Sequence, residues 1–385
     1  MMAMFRENFM KSLTTADVKI KNTERIIRYI YEQKCTSQQL ICAALQISRP
    51  TVIPILRELE EKGIIENQGF FQSTGGRKAA AISFCASSRI AIGLELRAEY
   101  YEMVALDLYG TTLSQTRIST PFQNVDSYYA AVCAQVSGFI AQNAFAPEQV
   151  LGVGIVLQGL ISADETCVTY GKILNCTGLT TEPFTSRLPY PCKFFHDAES
   201  AATDELWQRP ALTNALYMNI RSHVSCAIIV NRTFLKGTEL KSGVFEHMTL
   251  VPGGRPCYCG HKGCMETYCS TQPLSDVYGD LDHFFSKLRS HDPEAEKNWR
   301  VYLRFLASAI NNLHMFIDYP VILGGQLACY LTEPDLDILH QLVYENTAFP
   351  TSSRFISISH CKESSIARGG AIPYLKQYLS MLTGC

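Results

Sequence analysis

Three thiols fall within eight residues in the run Cys257-Tyr258-Cys259-Gly260-His261-Lys262-Gly263-Cys264, and His247 stands ten residues upstream. Thiolates and an imidazole, on a loop that glycines allow to wrap, suit a tetrahedral, borderline-soft metal, and Zn(2+) is the first choice. Cys257, Cys259 and Cys264 with His247 would complete four ligands. No position would stay open for substrate, so the ion would hold structure rather than do chemistry. His261, inside the loop, is an alternative fourth ligand. The bland alternative is a group of ordinary reduced cysteines, small apolar residues that need no metal.

A carboxylate is the second candidate. Asp197 sits in Phe194-Phe195-His196-Asp197-Ala198-Glu199-Ser200-Ala201-Ala202, at the predicted start of a helix, where the dipole favours negative charge. On these residues alone it reads equally well as a helix cap.

These groups belong to a chain of 385 residues, too long for one ordinary core and long enough for two or three compact units. Its 47% apolar and 18% charged residues describe a globular protein rather than a disordered one. No apolar run reaches the ~18 residues of a membrane span. Arg6, Glu7 and Lys11 interrupt the segment where a signal peptide would be apolar. A cytoplasmic location without a membrane partner is expected. The 15 cysteines agree, because an odd number scattered along a long chain argues for reduced thiols rather than a disulfide framework. The net charge of −2 conceals an asymmetry: residues 1–84 hold 12 Lys/Arg against 8 Asp/Glu, and the remainder 22 against 28. A basic head on an acidic body fits a DNA-binding module joined to a ligand-binding one, although a solvated basic surface gives the same balance.

The elements that must position these groups change character along the chain, with no internal repeat or long linker. Asn22 is read as the cap of a helix carrying Ile26, Ile27, Ile30 and Tyr31 on one face. A second helix from Ser37 would bury Leu40, Ile41 and Ala44. After the turn Leu45-Gln46-Ile47, Ser48 caps a third, with Val52, Leu56 and Leu59 inside and Gly63 as its stop. Two extended stretches, 64–71 and 79–84, flank Ser73-Thr74-Gly75-Gly76. This order is helix, helix-turn-helix, then a hairpin wing. Ser48, Arg49, Thr51 and Arg57 face away from the apolar side of the third helix, and Arg77 and Lys78 sit at the wing tip, where cations meet phosphates. Pro54 is expected to kink or shorten the helix start. Beyond Arg89 come strands at 90–96, 101–108, 151–157, 215–220, 226–230 and 320–323. A long helix follows Leu303, Leu306, Ile310, Leu313 and Ile317. Mixed elements over about 300 residues indicate an α/β body in two lobes.

The segment Ser48-Arg49-Pro50-Thr51-Val52-Ile53-Pro54-Ile55-Leu56-Arg57, the later Ser73-Thr74-Gly75-Gly76-Arg77-Lys78, the cysteine loop and Ala367-Arg368-Gly369-Gly370-Ala371 together resemble the ROK family of repressors, open reading frames and kinases, specifically its repressor branch. The resemblance covers nearly the whole chain beyond residue 20. It implies an α/β architecture: an N-terminal winged helix-turn-helix over 1–84, then a two-lobed, actin-like ROK domain of sugar-kinase type over 85–385. It favours His247 over His261 as the fourth zinc ligand. It also implies that a sugar is held by an Asn-Asp pair, here His196 and Asp197, with His247 and Glu266 as further contacts. The family's Glu before that histidine is replaced by Val244. The glycine-rich phosphate loops are altered too. The first reads Glu95-Leu96-Arg97-Ala98-Glu99 and the second Arg221-Ser222-His223-Val224-Ser225, without a glycine in either. Only Gly324-Gly325 survives, which serves equally as a strand-end turn.

Three functions compete on this reading. The first is a sugar-responsive regulator that binds a double-stranded DNA operator as a homodimer or tetramer and is not an enzyme. The second is a ROK-type sugar kinase using ATP on a hexose or amino sugar, and the third a scaffold whose head alone works.

Overall fold

The computed structural model describes residues 14–71, 79–349, 353–361 and 364–384. The expected wing-tip cations Arg77 and Lys78 lie outside the described residues. Two compact units emerge: one runs through Ile90 and adds Asp107–Tyr109 and the chain from Leu375, and the other holds the rest.

The first unit opens with α1 (Thr15–Gln33), seven residues earlier than Asn22 suggested. The physical reason is a reciprocal cap: Thr14 Oγ1 accepts the Asp17 N–H at 3.2 Å, and Asp17 accepts the Thr14 N–H at 2.9 Å. Next come β1 (Cys35–Thr36), α2 (Gln38–Leu45, capped by Ser37) and α3 (Arg49–Glu61). Strands β2 (Ile65–Phe70) and β3 (Ala80–Phe84) complete a sheet ordered β1-β3-β2, whose two-residue first strand the sequence reading missed. The core is Ile26, Ile27, Ile30, Ile41, Val52, Ile55 and Leu59. Two expectations change. Leu40 is 51% exposed and Ala44 is exposed, so the short α2 buries only Ile41. In α3 the inward step is Val52-Ile55-Leu59, which leaves Leu56 half-buried. Helix α3 also runs through Pro54 unbroken. Gly63, at φ 64°, ends it by letting the Ile64 N–H reach back to the Leu59 carbonyl at 2.9 Å.

The second unit is built on two five-stranded sheets. The first uses β4 (Ile90–Leu96), β5 (Tyr100–Asp107), β6 (Thr112–Ser119), β7 (Val150–Leu157) and, after the β8–β9 ribbon (Leu160–Ile161, Val168–Tyr170), β10 (Cys192–His196). Its order is β10-β7-β4-β5-β6. Helices α4 (Asp126–Gln142), α5 (Glu182–Thr185) and α6 (Asp197–Gln208) accompany it. The second sheet uses β11 (Ala215–Ile220), β12 (Val224–Val230), β13 (Thr233–Phe234), then, after α7 (Glu266–Cys269), α8 (Gln272–Tyr278), α9 (Leu281–Arg289) and α10 (Pro293–Phe316), strand β14 (Val321–Gly324). Helix α11 (Glu333–Asn346) leads to β15 (Ile356–Ile358), and α12 (Ser365–Thr383) follows. The order is β13-β12-β11-β14-β15, so both sheets place a three-strand meander beside two later strands in the same 3-2-1-4-5 pattern. Ile317 is the extended C-cap of α10 rather than its last helical residue.

Both faces of β11 are covered. Leu216, Met218 and Ile220 pack with Leu303, Leu306, Ile310 and Leu313 of α10, while Ala215 and Tyr217 pack with Ala198, Ala201, Ala202 and Leu206 of α6. Two-sided burial explains an unbroken apolar run where a half-exposed strand would alternate. The first turns of α12 lie against backbone, because a Cβ on Gly369 would run into the Ser200 carbonyl and one on Gly370 into the Val156 side chain. Beside them Arg368 grips the buried Asp204 with two nitrogens at 3.0 Å and also donates to Thr112 Oγ1 at 2.6 Å and the Gly110 carbonyl at 3.1 Å. Such a fork is strong only while both partners remain. Arg368→Met is therefore expected to cost about 3–5 kcal/mol by stranding a buried carboxylate. Arg368→Met with Asp204→Leu should recover at least half of that loss in urea denaturation followed by tryptophan fluorescence.

Candidate functional site

Strand β10 ends at His196 and α6 begins at Asp197, so one strand-to-helix junction delivers both residues. Asp197 is 1% exposed. One of its oxygens accepts the Ala198 N–H at 2.9 Å, and the other accepts from the Asn219 amide of β11 at 3.3 Å. Asn219 donates also to Ser225 Oγ at 3.0 Å, and His196 Nε2 lies 3.5 Å from the Asp197 carboxylate. His196, Asp197 and His247 line one pocket of about 440 Å³, a volume that suits a monosaccharide. The sequence reading missed Glu246, which lines the same pocket with one carboxyl oxygen buried and unpartnered. Burial, reinforced by the nearby Glu266 and Asp197 carboxylates, holds its carboxyl well above the usual range. A neutral carboxyl can both donate to and accept from a sugar hydroxyl.

Glu266 behaves differently from expectation. It does not line the pocket and is 4% exposed, because its two oxygens are already taken. One meets His223 Nδ1 at 2.6 Å and the other accepts the Val224 N–H at 2.7 Å. Its work here is to hold the β11–β12 hairpin.

His247, Cys257, Cys259 and Cys264 bring one ligand atom each within 4.8 Å of the others. Cys259 and Cys264 sulfurs lie 3.7 Å apart, as do Cys257 Sγ and His247 Nδ1. Metal–sulfur bonds of ~2.3 Å at a tetrahedral centre place sulfurs about 3.8 Å apart, so the donor set fits an ion without rearrangement. His261 is exposed and outside this group. The loop needs its glycines. Gly263 has φ 81°, and a Cβ there would strike the Val251 carbonyl. Burial lowers the His247 imidazole toward its neutral, metal-binding form. Its other nitrogen, Nε2, meets the Tyr258 hydroxyl at 3.2 Å, which fixes the ring. Nothing but its place between two candidate cysteines marked Tyr258 in the sequence.

The altered phosphate loops form a separate cavity of about 850 Å³. Glu95 is 1% exposed and bonds Arg97 Nε at 2.5 Å. Burial opposes its ionisation, but Arg97, with Arg221 at 3.9 Å, more than offsets that and holds its carboxyl below the usual range. Arg97 also donates to Gln158 at 3.0 Å, and Arg221 to the Tyr100 hydroxyl at 3.0 Å. Side chains occupy the ground where backbone N–H groups would have to approach phosphates. Gly324-Gly325 closes the end of β14, where a Cβ on Gly324 would strike the Tyr217 hydroxyl.

On α3, Arg49, Ile53 and Arg57 recur at four-residue steps and are exposed, opposite Val52, Ile55 and Leu59. Ser48 Oγ and Thr51 Oγ1 lie 3.0 Å apart and satisfy each other.

The sequence profile of the ROK family matches residues 91–365. The chain belongs to the ROK family. A winged helix-turn-helix DNA-binding profile matches residues 21–66. Among curated relatives, a xylose repressor of Bacillus spizizenii is 23% identical over 260 residues, which span 67% of this chain and 67% of the relative. A solved ROK-family transcriptional regulator, described as a homologue of the Escherichia coli MLC protein, aligns with TM-score 0.74 at 19% identity over 95% of this chain and 98% of its own. A ROK-family glucokinase from Streptomyces griseus, solved with glucose and AMPPNP, gives TM-score 0.64 at 19% identity over 74% of this chain and 98% of its own. The fold of this ROK protein is thus a winged helix-turn-helix followed by the actin-like sugar-kinase architecture, which the duplicated sheet order displays directly. Among the described residues, no helix is long and apolar enough to cross a membrane.

Elemental analysis of the natively purified protein should find about one divalent transition-metal ion per chain. Cys264→Ser should lose the ion and lower the thermal midpoint. A folded, metal-free native protein with every thiol titratable would remove the metal centre.

Proposed function

We propose that this protein is a sugar-responsive, DNA-binding transcriptional regulator, a repressor of carbohydrate-metabolism genes that works in the cytoplasm. The carrying observation is the combination of an exposed Arg49/Arg57 face on α3 with a kinase-type body whose phosphate loops are filled by Glu95, Arg97 and Arg221. In this reading the head (1–84) binds duplex DNA through Ser48, Arg49, Thr51 and Arg57, joined by Arg77 and Lys78. The body (85–385) takes a sugar or sugar derivative at His196, Asp197 and His247. Glu266 supports that pocket from behind through His223, and the ion at His247, Cys257, Cys259 and Cys264 is structural zinc. The names of its relatives, a xylose repressor and a ROK transcriptional regulator, support the same role. Two heads at a fixed spacing are what a palindromic operator requires, so the working unit is a homodimer or tetramer. Effector binding acts by favouring one arrangement of the bound subunits over another.

Fluorescence anisotropy with duplex from upstream of its own gene tests the first half. Arg49→Ala and Arg57→Ala should each weaken binding and flatten the salt dependence by about one ion per lost phosphate contact. Failure to bind any duplex at low salt sinks the reading.

A second reading, a sugar kinase with an added head, is favoured by Asp197 at its helix start and by the likeness to the glucokinase. Phosphoryl transfer depends on positioned, charge-compensated phosphates, which this cleft no longer cradles with glycine backbone. ADP release with ATP and a panel of hexoses and amino sugars is expected not to exceed a heat-inactivated control. Appreciable turnover would replace the regulator reading of the body.

A further inference from the structure

The cavity left by the lost phosphate loops is not merely plugged. Of the three guanidinium nitrogens of Arg97, Nε meets Glu95 at 2.5 Å and Nη1 meets Gln158 at 3.0 Å. Nη2 is buried and has no hydrogen-bond partner among the described residues. Arg97 as a whole is 9% exposed and lines the 850 Å³ cavity. A buried, unsatisfied cationic donor costs free energy unless something outside the chain completes it. The surroundings are cationic in the right place. Arg221 enters the same cavity with its side chain 22% exposed, and Arg117 stacks over the Tyr100 ring at 4.5 Å. Their carboxylates are already shared. Glu95 faces both Arg97 and Arg221, while Glu102 receives Arg117 at 3.4 Å and Ser364 Oγ at 2.9 Å.

This cavity also adjoins the sugar pocket. Gln158 and Ile173 line both spaces, and the Asp197 charge acts directly on Arg97. A ligand with hydroxyls on the Asp197 side and a negative group on the Arg97 side would satisfy the free nitrogen and the excess of guanidinium together. A neutral sugar would leave that donor unpaired. Resting on the effector reading above, we propose that the effector is an anionic monosaccharide, a phosphate ester or a sugar acid, whose anionic group binds Arg97 Nη2. The arginines that end nucleotide chemistry in this cleft then become the selectivity element of the sensor.

Calorimetric titration at fixed ionic strength with glucose, glucose 6-phosphate and glucuronate, and with the corresponding xylose and N-acetylglucosamine derivatives, decides the point. The expected result is at least 10-fold tighter binding of an anionic member than of its neutral parent. A preference for phosphate identifies an ester, and a preference for carboxylate a sugar acid. Arg97→Gln with Glu95→Gln, which leaves no buried charge unpaired, should weaken the anionic ligand by about 10- to 100-fold and collapse the preference. Arg97→Lys, which keeps the charge, should retain part of it. If the double variant does not fold, the wild-type comparison stands as the test. Equal or tighter binding of the neutral parents overturns this inference and leaves the regulator intact. If no member of the panel binds, the effector reading itself falls and this inference with it.

Discussion

A carboxylate taken out of water must be answered by a cation, and Glu95 is taken almost wholly out of water. That constraint fixes Arg97 at 2.5 Å and draws Arg221 to 3.9 Å, each from a loop that kinases of this fold would need to keep small. Tyr100, Gln158 and Arg117 then arrange themselves around the two guanidinium groups. Restoring a phosphate cradle would thus require more than adding glycines. It would require removing a buried charge and the partners that depend on it, because breaking either half alone strands the other.

The same economy governs the pocket wall. His247 turns one nitrogen toward the cysteine group and the other toward Tyr258, while its flank lines the effector pocket beside Glu246. The loop that gathers the thiols therefore also shapes the surface a ligand meets. Glu266 extends this continuity, since it begins α7 two residues past Cys264 and holds His223 and Val224 of the hairpin. A rigid backing of this kind lets a short, altered set of polar contacts remain oriented, as a binding site requires even after catalysis is gone.

How much of this was legible in the sequence depended on whether the determining contacts were local. The cysteine loop, the third helix with its Gly63 stop and the apolar strands were readable, because spacing and turn chemistry specify them within a few residues. The start of α1 was misplaced because Thr14-x-x-Asp17 is a quieter signal than the isoleucine stripe that follows it. Leu56 was taken for Ile55 because both suit a helical step from Val52, and only packing chooses between them. The two-residue β1 was invisible because its existence rests on pairing with β3, nearly fifty residues away. The matching order of the two sheets left no trace as a sequence repeat, since a sheet order is preserved by burial pattern and connection length rather than by residue identity. Glu266, Tyr258 and Glu246 illustrate the same limit: a side chain's type shows what it can bond, but its partners are set by the fold.

A sensor derived from an enzyme faces a demand its ancestor did not. A ligand moves a conformational equilibrium only by as much as it distinguishes the two states, so a pocket that binds tightly in every arrangement signals nothing. Contacts shared between separate strands and loops meet that demand better than contacts confined to one. Asp197 is oriented from α6 and from Asn219 of β11, which belong with different sheets, and Gln158 at the end of β7 touches both the pocket and the arginine-lined cavity. A ligand that engages these groups together is stabilised only when the two sheets stand in one relative position. Filling the phosphate loops with charged side chains ends turnover and, by the same substitution, gives the cleft groups whose satisfaction depends on that position.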